Sequence, residues 1–260
     1  MKQITDVNEL HGILLDIAMD FHRICTENEI PYYMLGGTML GAIRHKGFIP
    51  WDDDMDFGVR REYFNRLKDV LHAKLSSRYR VLTFPSSDVM YYDFIKIVDS
   101  RTQLQELYKE NATGNGINID IFPLDPATSK EGNSKKIERI LRLHSYRHLS
   151  IKPRPMVKKI IALAVKAVFF WWKKDTVIKY VDKHLIEKNG NFIANVYGAW
   201  GAKETVPAEV MGKPVLYAFE NIELYGVAMP EAYLKSLYGD YMQLPPVEKR
   251  HLHLVGAYWK

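Results

Sequence analysis

The sequence predicts an α+β fold, a mixed sheet with flanking helices followed by a helical stretch in mid-chain. Three observations carry that expectation. Apolar residues recur at three- and four-residue spacing in two early segments, the period of amphipathic helices. Short β-rich runs lie between and after them. From about Lys130 to Lys188 the pattern turns helical, so helices follow the strands as a block.

Each element has its own justification. Val7, Leu10, Leu14, Ile17, Phe21 and Ile24 mark a helix from about Asp6 to Asn28, with Cys25 on its apolar face, and Pro31 ends it. Tyr32–Leu35 reads as a short strand. Gly36-Gly37-Thr38 turns the chain, with Thr38 placed to cap a short helix through Ile43. Met55–Val59 is a second strand, and Tyr63, Phe64, Leu67, Val70, Leu71 and Leu75 mark another helix. Tyr79–Thr83, Phe94–Val98, Gln103–Tyr108 and Ile117–Ile121 are further strands. The helical middle is interrupted by Pro153 and Pro155, and the last third is mixed and loop-rich, with a helix at Tyr233–Leu237. The resulting division is a core at 1–128, a basic helical insertion at 129–190, and a C-terminal region at 191–260 packing on the core.

Composition narrows the function. With 260 residues, 47% hydrophobic and 12% aromatic, the chain can bury a sizeable core and is not disordered. The single cysteine excludes an intrachain disulfide and a Cys-based zinc site, which suits a reducing, cytoplasmic setting. Met1–Asn8 is polar and carries no signal-peptide core. The net charge of +5 is uneven: Lys130–Lys179 holds 14 Lys/Arg against Glu131, Glu138 and Asp175, a balance of +11 that leaves −6 elsewhere. That pattern argues against a nucleic-acid binder and for one basic segment facing an anionic partner or surface. Within it, Ile160–Trp172 contains one charge, Lys166, between two Lys-Lys pairs. It is too short to span a bilayer. It is either a buried helix covering the core or an interfacial helix giving peripheral membrane contact, with Trp171 and Trp172 at headgroup level.

The chemistry concentrates in Trp51-Asp52-Asp53-Asp54-Met55-Asp56-Phe57. Four carboxylates in five residues repel one another unless cations or donors sit among them. Read as a strand, Asp52, Asp54 and Asp56 share one face, spaced about 7 Å apart, with Met55, Phe57 and Val59 on the other. Such a set suits a hard cation such as Mg²⁺ and phosphoryl chemistry, although an acidic turn or calcium loop remains open. Upstream, Gly36-Gly37-Thr38 follows a strand and opens a helix, a turn at which backbone N–H groups can approach phosphate. Downstream, Asp120 sits in the apolar run Ile117–Pro123, where a charge is costly unless paired or liganded. A Gly-Gly turn, an Asp-x-Asp pair and a third strand carboxylate, in that order, form the constellation of the nucleotidyltransferase fold. Arg44 can grip phosphate bidentately or pair with the aspartates. Lys96, inside a strand, can meet a diphosphate or snorkel from a sheet edge.

The long run Tyr33–Asp56, with Leu35-Gly36-Gly37-Thr38 near its start and Trp51-Asp52-Asp53-Asp54-Met55-Asp56 at its end, resembles the signature of the LicD family, whose distant relatives include the fukutin-related proteins. Ile119–Asp125 is similar to that family's second motif, and Tyr238–Met242 with Leu244-Pro245-Pro246 to its C-terminal one. The resemblance spans roughly Leu10 to His253. It implies an Mg²⁺- or Mn²⁺-dependent phosphotransferase that moves a phospho-alcohol, such as phosphocholine, from a CDP-alcohol donor to a hydroxyl of a cell-surface glycan: lipopolysaccharide, capsule polysaccharide or teichoic acid. It assigns Asp54 and Asp56 to the metal, with Asp120 the third carboxylate and a helper in deprotonating the acceptor, and Gly36, Gly37 and Thr38 to donor phosphate. Asp52 can ligand the metal from the same strand face, and Asp53 makes a structural hydrogen bond. His251 and His253 stand where relatives carry histidines, read as surface residues or as a general base or metal ligand, and Asp240 as a cap. The competing reading is a nucleotidyltransferase that moves NMP from an NTP to a small molecule or protein. A non-enzymatic scaffold is opposed by the intact aspartates.

Overall fold

The computed structural model describes residues 1–84, 90, 92–105, 116–148, 156–168, 174–250 and 256–260. The fold is α+β, as the sequence predicts. Strand β1 (Lys2–Ile4) leads into α1 (Val7–Glu27). The Asp6 carboxylate caps α1 by accepting from the Asn8 N–H at 2.8 Å, a contact worth about 1 kcal/mol. Leu10, Leu14, Ile17, Phe21, Ile24 and Cys25 are buried along one stripe of α1, so the sequence period is the packing period. Truncating Phe21 to Ala there would cost about 3–5 kcal/mol.

Strand β2 (Tyr32–Met34), helix α2 (Gly36–Arg44), strand β3 (Asp56–Arg60) and helix α3 (Arg61–Lys74) follow. Two expectations need correction here. Thr38 does not cap α2: the helix already begins at Gly36 with Leu35 in the cap position, and the Thr38 hydroxyl instead accepts from the Asp56 N–H at 2.8 Å. Nor do Asp52, Asp54 and Asp56 share a strand face. Only Asp56 lies in β3, while Asp52 and Asp54 stand in the connection before it, where the Asp52 N–H turns back to the Ile49 carbonyl at 2.9 Å.

Strands β4 (Tyr79–Thr83), β5 (Ile95–Asp99), β6 (Thr102–Gln105) and β7 (Asn118–Ala127) come next, then helices α4 (Ser134–His148), α5 (Met156–Val168) and α6 (Lys174–His184). β6 is described through Gln105, the expected remainder to Tyr108 lying outside the described residues, and β7 runs well past Ile121 through two prolines. It can do so because its edge is shared in succession. β5 pairs with Asn118–Ile121 and the later strand β8 (Phe192–Ala194) pairs with Asp125–Ala127, leaving Pro123 in the gap between them.

The last third is richer in strands than expected: β8 (Phe192–Ala194), β9 (Thr205–Pro207), helix α7 (Ala208–Met211), the hairpin β10 (Val215–Phe219) and β11 (Ile222–Gly226), helix α8 (Pro230–Tyr238) and β12 (Gly256–Trp259). The main sheet runs β2-β3-β7-β5-β4, with β8 and β9 continuing from β7, while β12 lies between β1 and β6 in a small sheet. Among the described residues of the main sheet, only β3 and β7 pair in parallel. The hairpin reverses through Glu220-Asn221, and Glu220 holds a positive φ of 55°. Its tip braces the loop after α2: the Glu220 N–H donates to the Lys46 carbonyl at 2.7 Å, and its carboxylate accepts from the Phe48 N–H at 2.9 Å.

One core joins α1, the main sheet and the C-terminal Phe219, Leu224, Tyr233, Leu234 and Leu237. A second, smaller cluster holds Phe84, Met90, Ile137, Leu141, Ile178, Val181 and Leu185, so α4 and α6 pack there. Helix α5 packs on α4 and does not follow the buried-helix reading, because Met156, Val157, Ile160 and Leu163 are exposed. Trp171 and Trp172 lie outside the described residues, as do His251 and His253. No helix among the described residues is long and apolar enough to cross a membrane.

Candidate active site

The site is built where β2 hands over to α2. The Leu35 N–H continues the β-ladder to the Asp56 carbonyl at 2.9 Å, and one residue later the Gly36 N–H donates to the buried Tyr233 hydroxyl at 3.1 Å. Two glycines are needed at this handover. Gly36 adopts a positive φ of 48°, which side chains disfavour, and a Cβ there would stand 3.6 Å from both Asp56 Oδ2 and Tyr238 Oη. At Gly37 a Cβ would meet Asp52 Oδ2 at 2.6 Å, so only glycine lets that carboxylate approach the helix N-terminus. The positive end of the α2 dipole therefore faces acidic side chains.

Sheet register gathers the next group. Asp56 pairs with Asp120 across β3–β7, and Asp120 with Lys96 across β7–β5, so three charged residues stand in one row on three adjacent strands. Lys96 Nζ lies 2.6 and 2.7 Å from the two oxygens of Asp120, and Asn118 Nδ2 donates to the same carboxylate at 2.7 Å. Lys96 does not snorkel from a sheet edge, since β5 lies between β7 and β4: it is the partner of Asp120, with its ammonium also near the Phe94 ring. Its place in the row answers the cost of a charge in an apolar strand.

The connecting loop brings in the remaining carboxylates. Ligand oxygens of Asp52, Asp53 and Asp54 all lie within 4.8 Å of one another. Asp53, expected to make a structural hydrogen bond, is buried with its carboxylate in this cluster. The Asp52 carbonyl meets His11 Nε2 at 2.7 Å, and the His11 ring stacks on Phe48 at 4.0 Å. Burial, followed by the charges of Asp54 and Asp53, pushes the Asp52 carboxyl up to about 8. Asp56 is raised well above the ordinary carboxylate range, again by burial first and then by Asp54, Asp120 and Glu204, with Lys96 opposing.

Asp52, Asp54 and Asp56 line a cleft of about 650 Å³, a size that suits a small-molecule ligand. Gly37, Arg44, Asp52, Asp54 and Asp56 line one part of it, and Trp51, Trp200, Tyr238, Asp240 and Tyr241 another. Arg44 donates to the Tyr241 carbonyl at 2.7 Å and does not take the expected pairing with the aspartates. Trp200 meets Tyr238 edge-on at 5.2 Å, and the Arg250 guanidinium lies 5.1 Å from the Trp51 ring.

Trp200, Tyr233 and Glu204 were not singled out from the sequence. Buried Glu204 accepts from the Trp200 N–H at 2.8 Å and from Asn195 Nδ2 at 2.7 Å, and burial raises its carboxyl to about 7. No sequence signal marks it, whereas Tyr238 lies in the quoted Tyr-Gly-Asp motif and could have been assigned to the cleft.

A Gly-Gly helix start meeting Asp52, Asp54 and the strand carboxylate Asp56 at one cleft is the arrangement of a nucleotidyltransferase-type fold. The profile described as "LicD/FKTN/FKRP, nucleotidyltransferase domain" matches residues 29–159. The chain is 30% identical to the lipopolysaccharide cholinephosphotransferase LicD of Haemophilus influenzae over 266 residues, covering 97% of each protein. Over 97 residues it is 29% identical to the mouse ribitol 5-phosphate transferase FKRP, covering 37% of this chain and 17% of that protein. It is also 43% identical over 58 residues to the uncharacterized protein RP689 of Rickettsia prowazekii, covering 22% of each. The chain belongs to the LicD family of phosphotransferases.

Proposed function

We propose that this protein transfers a phospho-alcohol from a CDP-alcohol donor to a hydroxyl of a cell-surface glycan. The acceptor oxygen bonds to the phosphorus that carries the alcohol, the P–O bond to CMP breaks, and the hydroxyl proton passes to a carboxylate. The observation that carries this reading is the meeting, in one cleft, of the α2 N-terminus with Asp52, Asp54 and Asp56. Full-length similarity to a cholinephosphotransferase supports phosphocholine as the group moved and lipopolysaccharide as the glycan, with ribitol phosphate next in line.

A divalent cation fits the donor set. The candidate ligands are carboxylate oxygens, the chemistry Mg²⁺ takes, and the mutual repulsion that raises Asp52 and Asp56 is what a cation relieves. Asp52, Asp54 and Asp56 would hold it, with Asp53 beside them, and Asp120 would join only by releasing Lys96. When bound, the metal supplies charge neutralisation for the donor diphosphate.

The chain's own groups do the rest. N–H groups of Gly37 and Thr38 at the start of α2 face donor phosphate, as helix N-termini do. Arg44, fixed by the Tyr241 carbonyl, supplies positive charge in the same cleft. Asp120, oriented by Lys96 and Asn118, accepts the acceptor's proton. Trp51, Trp200 and Tyr238 offer apolar walls that hold the alcohol and exclude water.

Calorimetric titration with CDP-choline, CDP-ribitol, CDP-glycerol, CDP and ATP, each with and without Mg²⁺, tests the reading. Magnesium-dependent binding of one CDP-alcohol above CDP itself is the expected result. A preference for ATP over every cytidine ligand would replace this reading with nucleotidyl transfer.

A further inference from the structure

We propose that helix α5 is a docking surface for an anionic lipid bilayer. Met156, Val157, Ile160, Leu163, Ala164 and Ala167 are all exposed along α5. At about 100° per residue they fall within an arc of ~120°, one continuous face. An amphipathic helix ordinarily turns such a face inward, and here it points to solvent while the helix stays packed on α4. Lys159 and Lys166, seven residues apart and half-buried, border one side of the stripe.

Charge decides what covers this face. Residues 156–168 contain no Asp or Glu, and Lys130–Lys179 carries the balance of +11 in a chain that is otherwise −6. A second copy of the same helix would bring these lysines together and repel. An anionic surface is attracted, and the apolar stripe can enter the boundary between headgroups and acyl chains, the binding mode of basic interfacial helices.

Co-sedimentation of the full chain with vesicles tests the proposal without reference to the donor. Vesicles of equimolar phosphatidylcholine and phosphatidylglycerol are expected to bind the protein about tenfold more tightly than phosphatidylcholine alone, with the preference falling as salt rises. The double variant Ile160→Asp/Leu163→Asp should reduce that binding about tenfold by placing charge in the stripe. Lys159→Gln/Lys166→Gln, which leaves the apolar face intact, should reduce the preference for anionic vesicles. Unchanged circular dichroism checks that both variants fold. Absence of binding to anionic vesicles at low salt, or full binding by the aspartate variant, overturns the proposal. So does a concentration-dependent dimer that the aspartate variant abolishes, since α5 would then be a self-association face.

Discussion

The two ends of β7 carry acidic clusters of opposite construction. At the far end, Asp125 is buried and answered by Arg61, which reaches its two oxygens at 2.7 and 2.9 Å. Arg61 also meets Asp93 at 3.0 Å, and Lys68 meets Asp93 at 2.8 Å. At the near end, burial of Asp52 is compounded by Asp54 and Asp53, and burial of Asp56 by Asp54, Asp120 and Glu204, with Lys96 opposing at Asp56. Burial raises Asp125 as well, but there the hydrogen bonds and charge of Arg61 oppose it from within the fold. The near-end cluster leaves a deficit of positive charge that a ligand can fill, which is how a binding site differs from a structural ion network.

Breaking that contrast at the near end should give the largest effect on turnover. Asp56→Asn is expected to lower kcat on the order of 10³-fold without lowering the thermal midpoint, because it removes a crowded charge. Steady-state rates with a CDP-alcohol, read beside a melting curve, check both halves. A variant with wild-type rates would remove Asp56 from the chemistry.

Gly37→Ala should follow, with a loss of about 10²-fold, since the new Cβ would displace Asp52 from its place 2.6 Å away. The loss should appear in turnover more than in the urea midpoint. At the far end the signs reverse. Arg61→Ala leaves Asp125 buried without its partner and should cost about 3 kcal/mol of stability, visible as an early urea transition, with activity following only as the fold is lost.

Titration sharpens the contrast further. Asp52 rises from 3.8 in the unfolded chain to about 8, and Glu204 from 4.5 to about 7. A raised acid binds its proton more tightly when folded, so its contribution is fully present below the unfolded value and is lost as pH rises through the folded value. Metal-free protein should therefore lose stability between about pH 4 and pH 8, and Asp52→Asn should flatten that slope. Urea midpoints across this range, with and without Mg²⁺, measure it, with the metal expected to restore stability at the alkaline end.

The smallest effect is expected at Trp200, which is 46% exposed. Trp200→Ala should raise the donor KM by about fivefold and leave the unfolding midpoint in place.

How far the sequence discloses this site follows from distance along the chain. Asp56, Phe57 and Val59 were legible because a strand alternates, and Phe57 and Val59 are buried. Asp120 was legible as a charge in an apolar run. The positions of Asp52 and Asp54 were not, because three consecutive aspartates fit a strand and a loop equally, and only the start of β3 at Asp56 separates them. Lys96 could be read as a strand cation, but its partner depends on register between β5 and β7. Glu204 and Tyr233 approach the site from the C-terminal third, a relation that no local pattern encodes. The β10–β11 hairpin escaped notice because its turn is Glu-Asn, in place of the Asn-Gly that usually announces one. The outward face of α5 was likewise unreadable, because periodicity shows that a stripe exists and not which way it points.

The row Asp56–Asp120–Lys96 has a consequence for folding quality. Adjacent residues of a strand point to opposite faces, so slipping β3 by one position against β7 would send Asp56 into the core and draw Phe57 out of it. The same slip that dismantles the site also forfeits the burial that holds the sheet together. A population of chains with misaligned strands would contribute no partly active molecules, and specific activity in this protein should count correctly registered sheets.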